Sequence, residues 1–363
     1  MIMQISGGKR RFMGILTGLA ILALPHGVLG QNKGQDKAQD KGQDKAKDKK
    51  SDSSENIKFD SVDGVELRGT FYPASKAKAP AVLMLHRYGG NRQAWEKLAE
   101  ELQNKGFAVL TFDFRGHGES TGVNPEVFWK INANTTLING AKQNRKAIRF
   151  ADFKRSYPPM LVNDIMAAKR YLDKQNDAGL CNSSNLILIG AEEGAALGCL
   201  WIHEEWDRRP QIRTTLNRWV YDPQGKPFGE DIAAAIWLSP AAGLYGKSAG
   251  PWLDKKEIRD KIPMLFYASK EDSAGVGAAS QLYEDLKRRN KLDLTFPPVL
   301  KPGKERGADL VSKKDDKVRE AIAKYLEKVI DKRGVNAWKI REPEKGPLAE
   351  LVSLQRYGFS QLP

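Results

Sequence analysis

Short runs of apolar residues alternate along the chain with segments of helical periodicity. Residues 81–85, 107–114 and 185–189 are almost continuously apolar, as is typical of strands buried on both faces of a sheet. Residues 93–105 and 160–172 repeat apolar side chains at intervals of three and four. This spacing predicts helices that cover the sheet.

The same alternation continues toward the C terminus. It predicts further strands at 233–238, 263–267 and 292–296, and further helices at 194–206, 278–289 and 314–330. Two alternating segments around Asp63-Gly64 precede the first buried strand and predict a β-hairpin over residues 56–72. The order predicts an α/β fold with a mostly parallel central sheet, helices on both faces and an N-terminal β-hairpin.

The first thirty residues predict a secretory signal peptide. Three basic residues at 9–11 precede an apolar run at 12–24, which is shorter than the roughly 20 residues of a membrane span. We therefore expect an exported protein, periplasmic or secreted, with no stable membrane span after cleavage. Residues 31–56 repeat Gln, Asp, Lys, Gly and Ala, a composition that predicts a disordered low-complexity tether.

The remainder is predicted to form one α/β domain over residues 57–330 and a C-terminal extension over 331–363. Two long connections at 121–159 and 207–231 interrupt the strand–helix rhythm. We expect both to be insertions that cap the top of the sheet.

Charge and composition restrict the class of partner. The chain carries a formal charge of +14, of which about +10 remains on the globular part once the leader and tether are removed. The charges alternate in sign and form no basic stripe, so we expect no nucleic-acid partner. No metal-ligand spacing, phosphate loop or dinucleotide signature occurs, and we expect no metal and no cofactor. The partner is left as an unknown small molecule or a component of the cell envelope.

Four loop motifs occur in a fixed order, each at the end of a predicted strand. They are LHRYGGNR at 85–92, FDFRGHGES at 112–120, LIGAEEG at 188–194 and ASKED at 268–272. The set resembles the α/β-hydrolase family, nearest to its dienelactone-hydrolase-like and serine-aminopeptidase-like members. The resemblance covers roughly residues 57–330 and implies the α/β-hydrolase fold.

The resemblance also implies the positions of a catalytic triad, and this chain departs from it. The family's nucleophile lies in a Gly-x-Ser-x-Gly turn, called the elbow. Gly190 and Gly194 are retained, but Glu192 occupies the nucleophile position. Asp272 maps to the acid position, and Arg306 stands where the histidine is expected.

The count of histidines supports this departure without any alignment. The chain has four histidines, and none follows His203. A guanidinium stays protonated in proteins, so Arg306 is not a general base. A serine hydrolase needs both a nucleophile and a positioned base, and we therefore predict a degenerate triad.

The remaining site residues come from the loops beside the elbow. By resemblance, the backbone N–H groups of Tyr88 and Glu193 are the oxyanion-hole donors. His86, Arg87 and His117 are expected in the loops that line the pocket, and Arg87 replaces the glycine usual at its position. We expect His86 and His117 to be structural.

Three functions stay open from the sequence. The first is a non-catalytic pseudo-hydrolase that binds a ligand or partner. The second is an active ester or amide hydrolase that uses a non-standard site around Glu192 and Asp272. The third is an envelope attachment or interaction protein. A second Gly-x-Ser-x-Gly match centred on Ser248 follows no buried strand, and we interpret it as a coincidence.

Overall fold

The computed structural model describes residues 54–287, 295–312, 317–341, 351–360 and 362–363. Twelve strands occur in these residues and are numbered in chain order. They are β1 (Glu55–Asp60), β2 (Glu66–Tyr72), β3 (Pro80–Leu85), β4 (Ala108–Phe112), β5 (Asn182–Ala191), β6 (Gln211–Arg213), β7 (Trp219–Tyr221), β8 (Ile232–Leu238), β9 (Gly243–Leu244), β10 (Lys247–Ser248), β11 (Met264–Ser269) and β12 (Val299–Lys301).

Ten α-helices connect or cover these strands. They are α1 (Glu96–Asn104), α2 (Pro125–Phe128), α3 (Asn132–Leu137), α4 (Val162–Asp177), α5 (Glu193–Asp207), α6 (Gly250–Leu253), α7 (Lys256–Lys261), α8 (Ser273–Lys287), α9 (Asp309–Ser312) and α10 (Lys317–Arg333). Among the described residues, none of the helices is long and apolar enough to span a membrane.

Eight of the strands form one sheet in the order β1-β2-β4-β3-β5-β8-β11-β12. The hairpin strands β1 and β2 pair antiparallel, and β2 pairs antiparallel with β4. The pairs from β4 onward are all parallel. The predicted α/β fold with a mostly parallel sheet and an N-terminal hairpin is therefore confirmed.

The core lies in two layers, one on each face of the sheet. On one face, Val82, Met84 and Ile189 pack with residues of α1 and α10. On the other, Leu83 and Leu188 pack with residues of α4, α5 and α8. All ten residues of β5 are buried, which explains why the central strands are continuously apolar rather than alternating.

Several predicted boundaries were wrong. The last strand is β12 and not residues 292–296, of which 292–294 lie outside the described residues. The predicted tether ends too late, because Glu55 and Asn56 pair with β2. The predicted signal peptide and residues 31–53 of the tether lie outside the described residues. Helix α8 begins five residues earlier than its apolar spacing indicated.

The two insertions lie at opposite edges of the sheet, so the prediction that both cap its top was wrong for one of them. Residues 121–159 lie beside the carboxyl ends of the strands, where Phe150 contacts Tyr88 and His117. Residues 207–231 join the C-terminal end of α5 to the start of β8. Because α5 starts at the carboxyl edge and runs back along the sheet, this segment lies at the amino edge.

The C-terminal extension docks on the domain in its described parts. Asn336 exchanges hydrogen bonds with Asn185 and Ser184. Further on, Leu354 and Phe359 are buried in the main core. Cys181 and Cys199 are both buried free thiols.

A buried ion cluster connects the hairpin to the sheet and to α4. The Arg115 guanidinium follows β4 and is fully buried. It forms ion pairs with Asp63 from the β1–β2 turn at 2.5 Å and with Asp164 on α4 at 2.7 Å. The Tyr157 hydroxyl lies 3.2 Å from the same guanidinium. These contacts hold the pKa of Arg115 well above its usual value despite burial, which opposes its charge.

We predict that Arg115→Leu lowers the free energy of unfolding by about 3–5 kcal/mol, because it leaves two carboxylates buried without their partner. The matched control is Arg68→Leu, which removes the exposed ion pair with Glu66 and should cost less than about 1 kcal/mol. Urea unfolding followed by circular dichroism measures both. Equal losses in the two variants would contradict a structural role for the cluster.

Candidate functional site

The elbow is a sharp turn between β5 and α5, with Glu192 at its tip. Glu192 has φ 49° and ψ −116°, a left-handed conformation that side-chain-bearing residues rarely adopt. Its N–H donates to the Leu238 carbonyl at 3.1 Å, and its own carbonyl accepts from the N–H of Ala241 at 3.1 Å. The strained turn is thus fixed to the end of β8, as expected where tertiary contacts over-determine the backbone.

The two elbow glycines are required by close backbone approach. A Cβ at Gly190 would lie 2.7 Å from the Ala195 Cα, and a Cβ at Gly194 would lie 2.5 Å from the His86 carbonyl oxygen. Neither contact is tolerated by real Cβ atoms. The turn that presents a nucleophile in this family is therefore intact, although its tip carries a carboxylate.

The Glu192 carboxylate lies between two guanidinium groups. Its Oε2 is 3.6 Å from Arg306 Nη2, and its Oε1 is 3.6 Å from Arg87 Nε. The side chain of Glu192 is 14% exposed, whereas those of Arg306 and Arg87 are 51% and 56% exposed. The carboxylate is thus covered by two cations at the mouth of the site.

Arg306 also contacts the predicted acid. Its Nε lies 3.1 Å from Asp272 Oδ1, and that oxygen also accepts from the Gly275 N–H at 3.1 Å. The structure therefore places Arg306 between Glu192 and Asp272, in contact with both. In a catalytic triad the base lies in this way between the nucleophile and the acid. The central group is a permanent cation rather than an imidazole.

Two opposing effects set the protonation of Glu192. Burial raises the pKa of its carboxyl above the usual value, and the neighbouring Glu193 carboxylate raises it further. Arg306 and Arg87 act in the opposite direction. The two cations thus favour the ionised carboxylate against burial and like-charge repulsion.

The Tyr88 N–H, one of the predicted oxyanion donors, already has an acceptor. It donates to Glu193 Oε2 at 3.2 Å. Glu193 is the first residue of α5, so its carboxylate also lies at the positive end of the helix dipole. An acyl-transfer oxyanion would need this donor free, and in this chain the Glu193 side chain holds it.

His86 is committed to the backbone through both ring nitrogens. Its Nε2 accepts from the Phe114 N–H at 3.0 Å, and its Nδ1 lies 2.7 Å from the Arg87 carbonyl oxygen. Because Nε2 accepts, the proton is on Nδ1, which donates to that carbonyl. Burial, with a smaller contribution from His117, lowers the pKa of His86 from 6.5 to about 3. His86 is therefore a neutral structural residue.

The other two described histidines form hydrogen bonds with backbone carbonyl groups outside the elbow. His117 Nδ1 bonds to the Arg115 carbonyl oxygen at 2.9 Å, and its ring contacts Phe150 of the first insertion. His203 lies on α5 and bonds to the Trp252 carbonyl oxygen at 2.7 Å. Both rings are thus engaged by groups outside the predicted triad.

The second Gly-x-Ser-x-Gly match has a different structure from an elbow. Ser248 is an exposed residue of the two-residue strand β10, which pairs antiparallel with β9. The short helix α6 starts two residues after it. Pro251 occupies the first turn of α6, a position where its missing N–H costs nothing.

Two features of the site escaped the sequence reasoning. Gly307 has φ 52°, and a Cβ there would lie 2.7 Å from Glu192 Oε1, so a glycine makes room for the longer side chain at the elbow. The contact between Glu193 and Tyr88 is the second feature. The sequence signal for this contact was the pair Glu192-Glu193, two adjacent acidic residues at the start of the predicted helix. Among the described residues, no group of three or more His, Cys, Asp or Glu is arranged to hold a metal ion.

Comparisons with known proteins agree with this architecture. Residues 80–155 match the family model for the α/β hydrolase fold. An uncharacterized protein of Escherichia coli, YfhR, is 36% identical over 73 residues, which is 19% of this chain and 26% of that protein. The thiohydrolase aneE of Aspergillus aculeatus is 39% identical over 70 residues, covering 18% and 21% of the two chains. The match thus spans about a quarter of these relatives' length.

Solved structures with a similar fold include an esterase of Pyrococcus furiosus, with 16% identity, a TM-score of 0.47 and coverage of 76% of this chain and 91% of that one. A dienelactone hydrolase of Anabaena variabilis has 14% identity, a TM-score of 0.47 and coverage of 77% and 97%. The family-model match, the strand order and the elbow identify the chain as an α/β-hydrolase-fold protein, and the resemblance stated from its motifs is confirmed at that level.

We predict that His86 makes the protein less stable in acid. The folded pKa of about 3 lies below the unfolded value of 6.5, so the unfolded state gains the proton first as the pH falls. The contribution of His86 to the free energy of unfolding is therefore complete above pH 6.5 and decreases as the pH falls toward 3. The decrease is up to about 1.4 kcal/mol per pH unit.

Urea unfolding between pH 7 and pH 4 measures this slope. In His86→Gln the slope should be smaller by up to that amount, whatever the variant's absolute stability. His203→Gln is the matched control and should change the slope less, because its ring is only partly buried. An unaltered slope in His86→Gln would contradict the neutral, backbone-bonded state.

Proposed function

We propose that this protein is an exported, non-catalytic member of the α/β-hydrolase fold that acts by binding rather than by hydrolysis. The observation that carries the proposal is the position of Arg306 between Glu192 and Asp272. A permanent cation occupies the place where a hydrolase of this fold needs a proton acceptor. The elbow keeps the backbone turn of a hydrolase, but its tip carries a carboxylate instead of a hydroxyl group.

Three requirements of a serine-hydrolase mechanism are unmet in this proposal: the nucleophile, the base and a free oxyanion donor. A carboxylate in ion pairs with two guanidinium groups is a weak nucleophile, because attack would remove charge from both pairs. No imidazole lies against Asp272 in the described part of the chain. The described donor at Tyr88 is bonded to Glu193. Restoring one requirement alone leaves the other two unmet.

One observation favours the alternative of an active hydrolase with a non-standard site. Glu192 is a largely buried carboxyl whose pKa is raised by burial, and such groups serve as general acids or bases in other enzymes. Against this reading, Arg306 and Arg87 lie over the carboxylate and would have to move before it met a substrate.

A stepwise reconstruction of the triad tests the proposal. Wild-type protein and Glu192→Ser should both fail to turn over p-nitrophenyl acetate above the buffer rate. The triple variant with Glu192→Ser, Glu193→Ala and Arg306→His should gain turnover, because it supplies nucleophile, base and a free oxyanion donor together. The double variant that keeps Glu193 should be about 10²-fold slower, the usual cost of one oxyanion donor.

Labelling with a fluorophosphonate probe provides the control. The triple variant should be labelled at position 192, and the wild type at no serine. Two results would reject the proposal: wild-type turnover that Glu192→Gln abolishes, which favours the non-standard hydrolase, or an efficient esterase from Glu192→Ser alone, which places the triad elsewhere.

Export is the second part of the proposal and is supported by the basic and apolar pattern of residues 1–30. We predict that the full chain, expressed in a bacterial host, is recovered outside the cytoplasm with an N terminus near residue 31. N-terminal sequencing measures the cleavage point. Replacing Lys9, Arg10 and Arg11 with Glu should leave the chain uncleaved, and an intact Met1 on the wild-type product would contradict export. Wild-type protein retained on the envelope after cleavage would favour the attachment function instead.

A further inference from the structure

A groove of about 870 Å³ lies at the amino edge of the sheet, away from the elbow. Ser184 near the start of β5 contributes to its lining, whereas Glu192 follows the end of the same strand. Eight residues of extended chain separate the two, which corresponds to about 26 Å. The groove is thus a separate feature from the degenerate triad.

Two segments outside the repeating strand–helix pattern build much of this groove. The insertion at 207–231 contributes Arg209, Gln211 and Phe228, and the chain after α10 contributes Asn336 and Arg341. The second insertion and the chain after α10 therefore meet at this groove. Its volume falls within the range of sites that hold small-molecule ligands.

The C-terminal wall of the groove is held firmly in place. The Asn336 side chain donates to the Ser184 carbonyl at 2.8 Å, and the Trp338 indole donates to the Asn176 carbonyl at 3.1 Å. The Arg341 guanidinium donates to Ser184 Oγ at 2.6 Å. These hydrogen bonds pre-form the site, which lowers the ordering cost of binding.

The lining carries a strong positive excess. It includes nine Lys and Arg against four Asp and Glu, an excess of five positive charges. Each carboxylate already has a cationic partner. The four pairs are Asp173 with Lys169, Asp231 with Arg341, Glu205 with Arg208, and Glu230 with Lys261. The remaining positive charge in a concave wall attracts anions.

Arg333 lines the groove, and Asp231 and Glu230 lie near enough to act on its charge. Its Nη2 makes only a long 3.4 Å contact to the Glu230 carbonyl oxygen, and its buried Nη1 has no hydrogen-bond acceptor among the described residues. Burial lowers the pKa of this guanidinium. Because Arg333 lines the groove, a ligand carboxylate bound against its guanidinium would offset part of the cost of burying the charge.

Uncharged polar atoms of the same lining also lack partners. The Trp206 indole Nε1 is a buried donor and Gln211 Oε1 a buried acceptor, and neither has a partner among the described residues. Buried polar groups are normally hydrogen-bonded. A ligand with both acceptors and hydroxyl donors would match this set.

We propose that the groove binds a carboxylated, hydroxyl-rich small molecule, of the chemical class of an acidic oligosaccharide, with Arg333 as its central carboxylate contact. The carboxylate meets Arg333 and the surplus cations of the wall, and the hydroxyl groups meet the neutral donors and acceptors. The proposal is independent of the function suggested for the elbow.

Isothermal titration calorimetry on the purified chain tests this with trigalacturonate as the probe and maltotriose as its uncharged counterpart. Trigalacturonate should bind saturably, at least about tenfold more tightly than maltotriose, and should weaken as sodium chloride is added. Arg333→Gln should lose about tenfold or more in affinity, the usual cost of a charged hydrogen bond.

Matched variants separate this groove from general charge effects and from the elbow. Arg209→Gln, a second groove variant that leaves Arg333 in place, should also weaken binding. Arg155→Gln, at an exposed arginine in the other insertion, should leave the affinity unchanged. The proposal is overturned if trigalacturonate does not bind saturably, if maltotriose binds equally well, or if Arg306→Gln rather than the groove variants abolishes binding.

Discussion

The Glu192 carboxylate at the tip of the elbow, held between Arg306 and Arg87, is the interaction on which the candidate site depends. A strained left-handed turn at the start of a helix was retained, and it projects whatever side chain it carries into the centre of the site. A carboxylate there is favoured by the helix dipole but disfavoured by burial and by the adjacent Glu193. The two guanidinium groups offset part of those costs, and Gly307 leaves room for the longer side chain.

The residues at the predicted triad positions contact one another directly. Arg306 bonds to Asp272 as well as to Glu192, so one cation balances two carboxylates. The second elbow carboxylate, on Glu193, takes the Tyr88 N–H. The residues at the predicted nucleophile, acid and base positions thus contact one another, and the side chain beside the elbow tip takes one predicted oxyanion donor. Removing Arg306 would take compensating charge from two largely buried carboxylates at once.

The two edges of the sheet differ in what they offer to a ligand. At the carboxyl edge, Arg306 and Arg87 pair with the carboxylates of Asp272 and Glu192, and the first insertion packs Phe150 onto the loops. At the amino edge, the second insertion and the C-terminal extension enclose a groove with surplus cations and unpartnered polar atoms. The carboxyl edge thus carries paired charges around the elbow, and the added segments create a concave surface at the amino edge.

The sequence by itself determined the fold class, and its motifs singled out Glu192, Asp272 and Arg306, which the structure places in contact. Continuous apolar runs mark strands buried on both faces, and the glycines at 190 and 194 mark the elbow turn. The reason for the second glycine is a tertiary contact, because a Cβ there would meet the carbonyl oxygens of Leu85 and His86. The absence of any histidine after His203 is likewise visible in the sequence alone. Only the tertiary structure decided that Arg306 bridges two carboxylates, that Glu193 holds the Tyr88 N–H, and that the insertions lie at opposite edges. These depend on contacts between residues far apart in the chain, and neither periodicity nor composition encodes the direction in which a long side chain or a connecting segment turns.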